Sequence, residues 1–317
     1  MAKWRIVGIS FDHMHMGDLL RMAHNHPDAE IVGLFDADLA KMKRVAAPFN
    51  IADDRLFTDF DACMRASKAD LAILCAATGD HASYTERLAA YGVHVFVEKP
   101  FAASVADARR MMEAMAPTGK RMAINWPLAW VESHVTAKRL IDEGLIGDLR
   151  EVRFYGGNRG PLYHLAYLGY GATLGTWYMN GEAPLEVTCV VDEIPGIEVD
   201  QHSITVCRYA RGLSKMETRW GTFTDPWMQQ PQPKCGFVFV GADGTIASED
   251  YSDRITVQTR ATPNVTPMPV DPLPVGRRNG IEYMLACLKS GAPITGPLEP
   301  ELCLTAQRIV DTAAKSA

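Results

Sequence analysis

The sequence predicts an α/β protein with a parallel sheet in its first part and a large, mostly antiparallel sheet in its second. Residues 1–124 alternate short apolar strands with helices, the pattern of βαβ units. Residues 203–209 and 214–220 alternate apolar and polar side chains, as half-exposed antiparallel strands do. We therefore predict two domains, 1–124 and 125–317, with a C-terminal helix amphipathic enough to pack back onto the first sheet.

The first domain is predicted to contain strands and helices in strict alternation. Ser104, with Asp107 three residues later, is typical of a helix start. The predicted strands are 3–9, 30–35, 70–76, 93–97 and 121–125, and the predicted helices are 16–24, 39–48, 59–66, 81–91 and 104–115.

The second domain is predicted to begin with a helix at 132–143 and to continue mainly as strands. Asp243-Gly244 lies between the apolar segments 237–240 and 245–248, which predicts a hairpin. Residues 263–274 include five prolines, and we predict a loop there. Two helices, at 279–290 and 299–313, are predicted to follow.

Composition excludes several classes of partner. The chain has 317 residues, 47% hydrophobic and 22% charged, with a formal net charge of −6. This charge offers no basic surface for nucleic acid or an anionic membrane. The first strand begins so early that we expect no signal peptide. Seven scattered cysteines without a C-x-x-C pair favour free thiols and a cytoplasmic protein.

The stretch 91–100 carries the most specific chemical signal. A buried strand ends there in Glu98-Lys99-Pro100. Ligands bind beyond the carboxyl ends of strands in open α/β sheets, so a lysine at that point is a candidate proton carrier. A surface ion pair that closes the strand is the alternative.

Four features together resemble one enzyme family. They are Gly8 after the first strand, Asp36 at the end of the second, the Glu98-Lys99-Pro100 tripeptide, and residues 125–157 with the segment LIDEGLIGDLREV. The chain resembles the glucose–fructose oxidoreductase, inositol dehydrogenase and rhizopine-catabolism family over nearly its whole length.

The resemblance implies a Rossmann dinucleotide-binding domain followed by an α+β domain for substrate binding and oligomer contacts. It implies NAD(P)-linked oxidation or reduction of a hydroxyl or keto group on a sugar, polyol or related small molecule, in a homodimer or homotetramer. Lys99 matches the family's catalytic lysine. A free lysine, with a pKa of about 10.4, is a poor base at neutral pH, and burial or a cofactor charge would lower that pKa. Glu98 would orient Lys99 or anchor the strand.

The phosphate loop departs from the family pattern. A dinucleotide loop reads G-x-G-x-x-G, whereas this chain reads Gly8-Ile9-Ser10-Phe11-Asp12-His13. Ser10 and His13 replace the second and third glycines. The Ser10 hydroxyl remains a phosphate donor, while Asp12 adds a negative charge that opposes phosphate binding at the helix start.

Asp36 favours NAD over NADP. A carboxylate at the end of the second strand accepts hydrogen bonds from ribose hydroxyls and disfavours a 2′-phosphate. A turn or helix-capping aspartate is the alternative.

The helix that would complete the catalytic site also departs from the family's D-x-x-x-H. In the alignment we favour, Ala166 replaces the aspartate and Tyr170 the histidine. A tyrosine hydroxyl can relay a proton or bind a sugar hydroxyl. His164, two residues earlier than Ala166, is a candidate to supply the missing imidazole.

Further candidates follow from position. Thr78 and His81 occupy the turn that abuts the nicotinamide ribose in the family, although His81 equally suits a packing role. We expect Asn125 and Tyr163 to hydrogen-bond substrate hydroxyls and Trp126 to stack on a sugar ring.

His13 and His15 form an H-x-H pair that suggests a metal. The two residues lie in a loop that enters a helix, and no third ligand is evident nearby. We therefore predict a polar loop at the mouth of the cofactor site and no metal.

Three functions stay open at this point. The first is an NAD-linked oxidoreductase with Lys99 as proton carrier and Tyr170 or His164 assisting. The second is a sugar lyase or hydrolase on the same fold, with tightly held NAD. The third is a catalytically weak sugar-binding or regulatory protein.

Overall fold

The computed structural model describes residues 3–158, 165–192, 202–220, 235–250 and 252–316. The chain separates into two compact bodies. The first body comprises residues 1–126 and 274–304, and the second comprises residues 127–273 and 305–317. Residues 274–304, which lie in the predicted second domain 125–317, group with the first body.

The first body contains a six-stranded sheet in which every described pair of neighbours is parallel. Its strands lie in the order β3-β2-β1-β4-β5-β6. They are β1 (Trp4–Ile9), β2 (Ala29–Phe35), β3 (Leu56–Phe57), β4 (Leu71–Leu74), β5 (His94–Glu98) and β6 (Met122–Asn125). This is the doubly wound arrangement that the strand and helix alternation predicts, and the predicted fold class is confirmed for this sheet.

Five helices connect these strands. They are α1 (His15–His24), α2 (Leu39–Ala46), α3 (Phe60–Ser67), α4 (His81–Ala90) and α5 (Val105–Met115). The side chains of Asp38, Asp59 and Ser104 accept backbone N–H groups at the starts of α2, α3 and α5, so local capping fixes where each helix begins.

The second body contains the helices α6 (Glu132–Asp142) and α7 (Leu165–Tyr178), residues 305–316 of the last helix, and an eight-stranded sheet. The strands lie in the order β14-β13-β12-β11-β7-β10-β9-β8, and among the described strand pairs only β7 and β10 run in parallel. They are β7 (Leu149–Asn158), β8 (Glu186–Asp192), β9 (His202–Tyr209), β10 (Gly212–Trp220), β11 (Cys235–Gly241), β12 (Gly244–Glu249), β13 (Arg254–Thr259) and β14 (Thr266–Pro269). The predicted hairpin forms between β11 and β12, and the mostly antiparallel sheet is confirmed.

One local prediction in this sheet is wrong. The proline-rich segment 263–274 is not entirely loop, because β14 pairs with β13 inside it. β14 lies at the edge of the sheet, where a strand tolerates Pro267 and Pro269 since one side of its backbone needs no ladder partner.

The segment that returns to the first body contains α8 (Gly280–Ser290), and α9 (Pro300–Ser316) follows it. Arg121 donates from its guanidinium to the backbone carbonyls of Cys287, Gly291 and Ala292, and so fastens the end of α8 to the start of β6. At the other end of α8, a Cβ on Gly280 would lie 2.5 Å from a ring atom of Phe96. Close packing therefore requires glycine at this position.

Among the helices of the described ranges, none is both long enough and apolar enough for a membrane crossing.

Candidate functional site

The carboxyl ends of the parallel strands bring five polar residues together in the first body. We call them the lysine cluster: Lys99, His13, His15, Glu98 and Asn125. Lys99 follows β5, and its side chain is partly buried. The two histidines come from the loop after β1 and the first residue of α1. Parallel strands end at one edge, so residues 83 to 86 positions apart in the chain become neighbours there.

Lys99 contacts the imidazole of His13. The Nζ of Lys99 lies 3.1 Å from Nε2 of His13. On the other side of the ring, the backbone N–H of His15 donates to Nδ1 of His13 at 3.2 Å. Burial, together with the charge of Lys99, lowers the pKa of His13 to about 4, so its imidazole is neutral near pH 7.

Glu98 lies beneath Lys99 and is fully buried at 0% exposure. Its Oε1 lies 2.7 Å from Nδ1 of His15, and its Oε2 accepts from Nδ2 of Asn125 at 2.7 Å. A buried carboxylate requires such partners. Both oxygens of Glu98 therefore contact other members of the cluster. Asn125, which is 4% exposed, holds one of these oxygens by a hydrogen bond.

His81 also lies in the interior, at 1% exposure. Its Nδ1 lies 3.1 Å from the carbonyl oxygen of Phe101, and its Nε2 lies 3.0 Å from that of Ala76. Burial lowers the pKa of His81, although the two carbonyl groups oppose this shift. The ring thus links the end of β4 to the segment after Pro100. This arrangement corresponds to the packing role that the sequence also allowed for His81.

The loop after β1 keeps two backbone features of a dinucleotide loop. A Cβ on Gly8 would lie 2.9 Å from Leu34 and 3.2 Å from the sulfur of Met16, so the first glycine permits close strand and helix packing. Ser10, at the position of the second glycine, has a φ of 60°. The loop therefore adopts the left-handed turn there without a glycine, and its backbone is compatible with a dinucleotide.

Asp12 does not present an uncompensated charge. Its Oδ1 lies 2.6 Å from Nζ of Lys41, and its Oδ2 accepts from the hydroxyl of Ser10 at 2.8 Å and the N–H of Ala77 at 3.2 Å. Burial raises the pKa of Asp12, but these hydrogen bonds outweigh burial and the net pKa is lowered. The Ser10 hydroxyl expected to reach a phosphate donates here to Asp12.

Asp36 ties the loop to the end of β2. Its Oδ2 accepts from the N–H of Phe11 at 2.7 Å, and its Oδ1 accepts from the N–H of Asp38 at 2.8 Å. Asp36 is 5% exposed, and Phe11 is 9% exposed. Asp36 therefore stabilises the turn after β2, as the alternative to ribose binding predicts. Each carboxylate oxygen still keeps a further lone pair that can accept a hydrogen bond from a ribose hydroxyl.

Several loop amides are already used inside the protein. Three of them, on Ser10, Phe11 and His13, donate respectively to Phe35 O, the Asp36 carboxylate and Cys75 O. These bonds hold the loop rigid and leave fewer of its N–H groups for a phosphate.

The structure does not support a stacking role for Trp126. Its side chain is 3% exposed and contacts the thiol of Cys303, so almost no ring face is available to a sugar. Asn125 is likewise buried, and its amide donates to Glu98 rather than lying open to a substrate hydroxyl. Thr78 opens a short turn before α4 and is partly buried.

The helix expected to complete the catalytic site is α7 in the second body. Tyr170 lies on it and is 6% exposed. Tyr163 and His164 lie outside the described residues. Position 166 is on α7, but its side chain is also outside the described set.

Sequence reasoning missed two partners, His15 for Glu98 and Lys41 for Asp12. The H-x-H pattern was the available signal for His15, but its carboxylate partner is 83 positions away. No comparable signal marked Lys41, which lies on α2 among other charged side chains.

Three groups of the lysine cluster also lie close enough to suggest a metal. One potential ligand atom from each of His13, His15 and Glu98 lies within 4.8 Å of the others. Glu98 is thus the third group that the sequence did not indicate. However, both nitrogens of His13 contact other partners, and His15 Nδ1 and Glu98 share a hydrogen bond. We interpret the trio as a hydrogen-bond network.

Residues of the first body match a known protein family in sequence. Residues 2–126 match the sequence profile of the oxidoreductase family with an NAD-binding Rossmann fold. D-apiose dehydrogenase of Paraburkholderia graminis is 32% identical over 119 residues, which cover 38% of this chain and 31% of that protein. Inositol 2-dehydrogenase of Salmonella typhimurium is 27% identical over 164 residues, covering 50% and 47%. The chain thus spans under half the length of these curated relatives.

A solved structure extends the likeness of fold to the whole chain. An oxidoreductase from Agrobacterium radiobacter, solved with NAD⁺, L-tartaric acid and magnesium, superposes with a TM-score of 0.85. It is 18% identical, and the match covers 100% of this chain and 96% of the other. Residues 2–126 contain the lysine cluster as well as the match to the NAD-binding oxidoreductase family, and the whole chain resembles the Agrobacterium radiobacter oxidoreductase in fold.

Proposed function

We propose that this protein is an NAD-linked oxidoreductase that acts on a hydroxyl or keto group of a sugar, polyol or related small molecule. The observation that carries the proposal is the amine of Lys99, held beyond the end of β5 and 3.1 Å from an imidazole of the loop after β1. This loop belongs to the residues that match the NAD-binding family. The relatives named above support a carbohydrate or polyol substrate.

The proposed reaction divides the work between cofactor and protein. A bound nicotinamide supplies the hydride acceptor or donor. Lys99 takes the hydroxyl proton when the carbinol is oxidised and returns it when the ketone is reduced. Glu98 and His15 fix the strand end from which Lys99 projects. Tyr170 and His164 are the residues that the sequence offers for binding the substrate or relaying its proton.

We propose NAD rather than NADP because Asp36 places a carboxylate at the end of β2. A 2′-phosphate near this carboxylate would be repelled. Lys41 lies nearby but is held by Asp12 at 2.6 Å, so its charge is already compensated.

A fluorescence titration with NADH and NADPH tests the proposal directly. We expect NADH to bind and NADPH to bind about tenfold more weakly, equivalent to roughly 1.4 kcal/mol of repulsion. Turnover of sugars, polyols and their oxidised forms with NAD⁺ or NADH would then identify the substrate. Absence of binding by either nucleotide at millimolar concentration would exclude the redox function.

A second candidate is a sugar lyase or hydrolase in which Lys99 abstracts a proton without net redox change. The observation that favours it is the use of the Ser10, Phe11 and His13 amides inside the protein, which leaves fewer donors for an exchangeable dinucleotide. Product formation from a sugar without added NAD, together with release of tightly bound NAD on denaturation, would favour this candidate over the first.

A further inference from the structure

The imidazole of His13 lies between a group that can only donate a hydrogen bond and the amine proposed to carry the proton. The donor is the backbone N–H of His15, which points at Nδ1 of His13 from 3.2 Å. The amine is Nζ of Lys99, which lies 3.1 Å from Nε2. An amide N–H cannot accept a hydrogen bond, so Nδ1 must be the unprotonated nitrogen.

The proton of the neutral imidazole is therefore on Nε2. The imidazolium, which would also protonate Nδ1, is disfavoured by burial of this ring. An Nε2–H group can only donate, and the atom in front of it is Nζ of Lys99. An amine accepts a hydrogen bond through its lone pair, and only the neutral amine has one.

We propose that His13 is a positioning residue that biases Lys99 toward its neutral, base-competent form. The proposal rests on the proposed function, in which Lys99 carries the substrate proton. Protonation of Lys99 would force His13 to accept at Nε2 and to turn an N–H at Nδ1 against the N–H of His15. That arrangement loses the hydrogen bond of an amide in the first turn of α1.

The size of the effect follows from that lost bond. An unmade hydrogen bond to a partly buried amide shifts the midpoint of a linked titration by roughly one to two pH units. This shift alone does not bring a lysine from about 10.4 to neutrality. It adds to the burial of Lys99 and to the positive charge of a bound oxidised nicotinamide.

The other charged or titratable groups that act on the Lys99 and His13 pair have identifiable effects. Glu98 favours the ammonium form, but both of its oxygens are occupied by His15 and Asn125. His81 is buried, and burial lowers its pKa. Burial raises the pKa of Cys75 well above its ordinary value, so this thiol adds no charge. Among these groups, His13 distinguishes the two forms of Lys99 by hydrogen-bond direction.

The matched variant is His13→Asn. An asparagine oxygen can accept the N–H of His15 two residues on, as asparagine does in turns, but its short side chain leaves Lys99 without the Nε2–H donor. Competitive acylation of lysines at a series of pH values, read by peptide mass spectrometry, reports the titration midpoint of each amine without substrate or cofactor. Lys43, which is exposed and pairs with Asp53, is the internal control.

We expect the midpoint of Lys99 to rise by one to two pH units in His13→Asn while that of Lys43 stays constant. An unchanged or lowered midpoint for Lys99 would overturn the proposal. Because this measurement needs no turnover, its failure is distinguishable from failure of the redox function. With substrate in hand, the acidic limb of kcat/KM should move by the same amount, which a merely structural role of His13 would not cause.

A second measurement uses the unmodified protein and covers the case in which the variant does not fold. Nitrogen-15 NMR of the histidine rings should find His13 as the Nε2–H tautomer near pH 7. The Nδ1–H tautomer would overturn the proposal. So would a stoichiometric transition metal in the purified protein that His13→Asn removes, because His13 would then be a ligand rather than a donor.

Discussion

Each of the two bodies holds a histidine whose pKa lies far below the ordinary value, yet the two residues have different surroundings. In the parallel-sheet body, burial and the charge of Lys99 lower the pKa of His13 to about 4. In the antiparallel-sheet body, burial lowers that of His134 to about 3. His134 is 0% exposed, contacts the hydroxyl of Ser248 at 2.6 Å, and packs edge-on against Phe237.

The comparison shows that a lowered histidine pKa indicates burial and does not by itself indicate function. A functional histidine also needs a reactive neighbouring group and exposure to the site. His13 is partly exposed and faces an amine. His134 faces a serine hydroxyl, and its backbone carbonyl accepts from the hydroxyl of Tyr178 at 2.9 Å. We therefore interpret His134 as part of the core that joins α6, α7 and the large sheet.

The largest expected effect contrasts two lysines that are each at least partly buried. Lys99→Met should reduce turnover by about 10²–10⁴-fold because the proton carrier is lost. Lys138→Met, in the second body, should leave kcat nearly unchanged, since Lys138 pairs with Asp142 and lies 3.1 Å from the Asn180 side chain. Steady-state kinetics and thermal unfolding of both variants check this. Equal losses of kcat in the two variants would contradict the proposal that Lys99 has a catalytic role and Lys138 has none.

Glycines in the two bodies should respond differently to an added methyl group. Gly8→Ala should weaken both folding and NADH binding, because the Cβ meets Leu34 at 2.9 Å beside the loop. Gly171→Ala should weaken folding alone, because its Cβ meets Phe154 at 2.6 Å and Met216 at 2.8 Å. Overpacking of this kind costs about 1–3 kcal/mol. Denaturant titration and NADH binding provide the two measurements.

Gly175 on α7 is the matched control for this pair. Among the described residues, a Cβ there has no neighbour within 4 Å, so Gly175→Ala should leave stability unchanged or raise it by about 0.5–1 kcal/mol through helix propensity. If Gly175→Ala lost as much stability as Gly171→Ala, any added methyl group on α7 would be destabilising, and the contacts of Gly171 with Phe154 and Met216 would not explain the effect.

Because of the buried histidine of the second body, the free energy of unfolding should decrease as the pH is lowered. Its folded pKa of about 3 lies below the ordinary value of 6.5, so the unfolded chain binds the extra proton. The stabilisation is complete above pH 6.5 and declines as the pH falls toward 3. Between pH 7.5 and 5 the loss from this one group is about 2 kcal/mol.

His134→Asn should flatten that dependence. Its deficit in unfolding free energy relative to the original protein should shrink by about 2 kcal/mol between pH 7.5 and 5, measured by urea titration at each pH. Parallel curves for the two proteins would mean that His134 has the same pKa in the folded and unfolded states.

The smallest expected effect concerns the Asp12 and Lys41 pair of the first body. The pair is partly exposed, with side chains 34% and 36% accessible, so Asp12→Asn should change the unfolding free energy by under about 1 kcal/mol. The same change should tighten NADH binding several-fold at low salt, because the positive charge of Lys41 would no longer be compensated by Asp12. Unchanged affinity would locate the phosphates away from Asp12.

Local patterns in the sequence were sufficient to predict the fold class. The βαβ alternation predicts the parallel sheet, and Asp243-Gly244 predicts the hairpin that joins β11 to β12. The edge strand β14 was not predicted, because the segment contains many prolines and prolines usually indicate a loop. Its four residues pair with β13 on one side only, and an edge strand of this kind tolerates proline.

The site was predictable only where its chemistry lies in one continuous stretch. Glu98-Lys99-Pro100 marks the strand end by itself. The partners of these residues depend on which strands become neighbours, so His13 and His15 acquire a meaning only after β1, β4 and β5 lie side by side. Burial is equally non-local, which is why Trp126 was expected at a ligand and lies in the core.

The first residue of α8 has a consequence for any shortened form of the chain. A Cβ at Gly280 would lie 3.0 Å from Oδ1 of Asn125, the residue that holds Glu98 in place. A product that terminates before residue 274, through a nonsense mutation or proteolysis, would retain every member of the lysine cluster and still lose the start of α8 that packs against Asn125. Water would then reach Glu98, so we expect such a fragment to contain the complete reactive motif and to be inert.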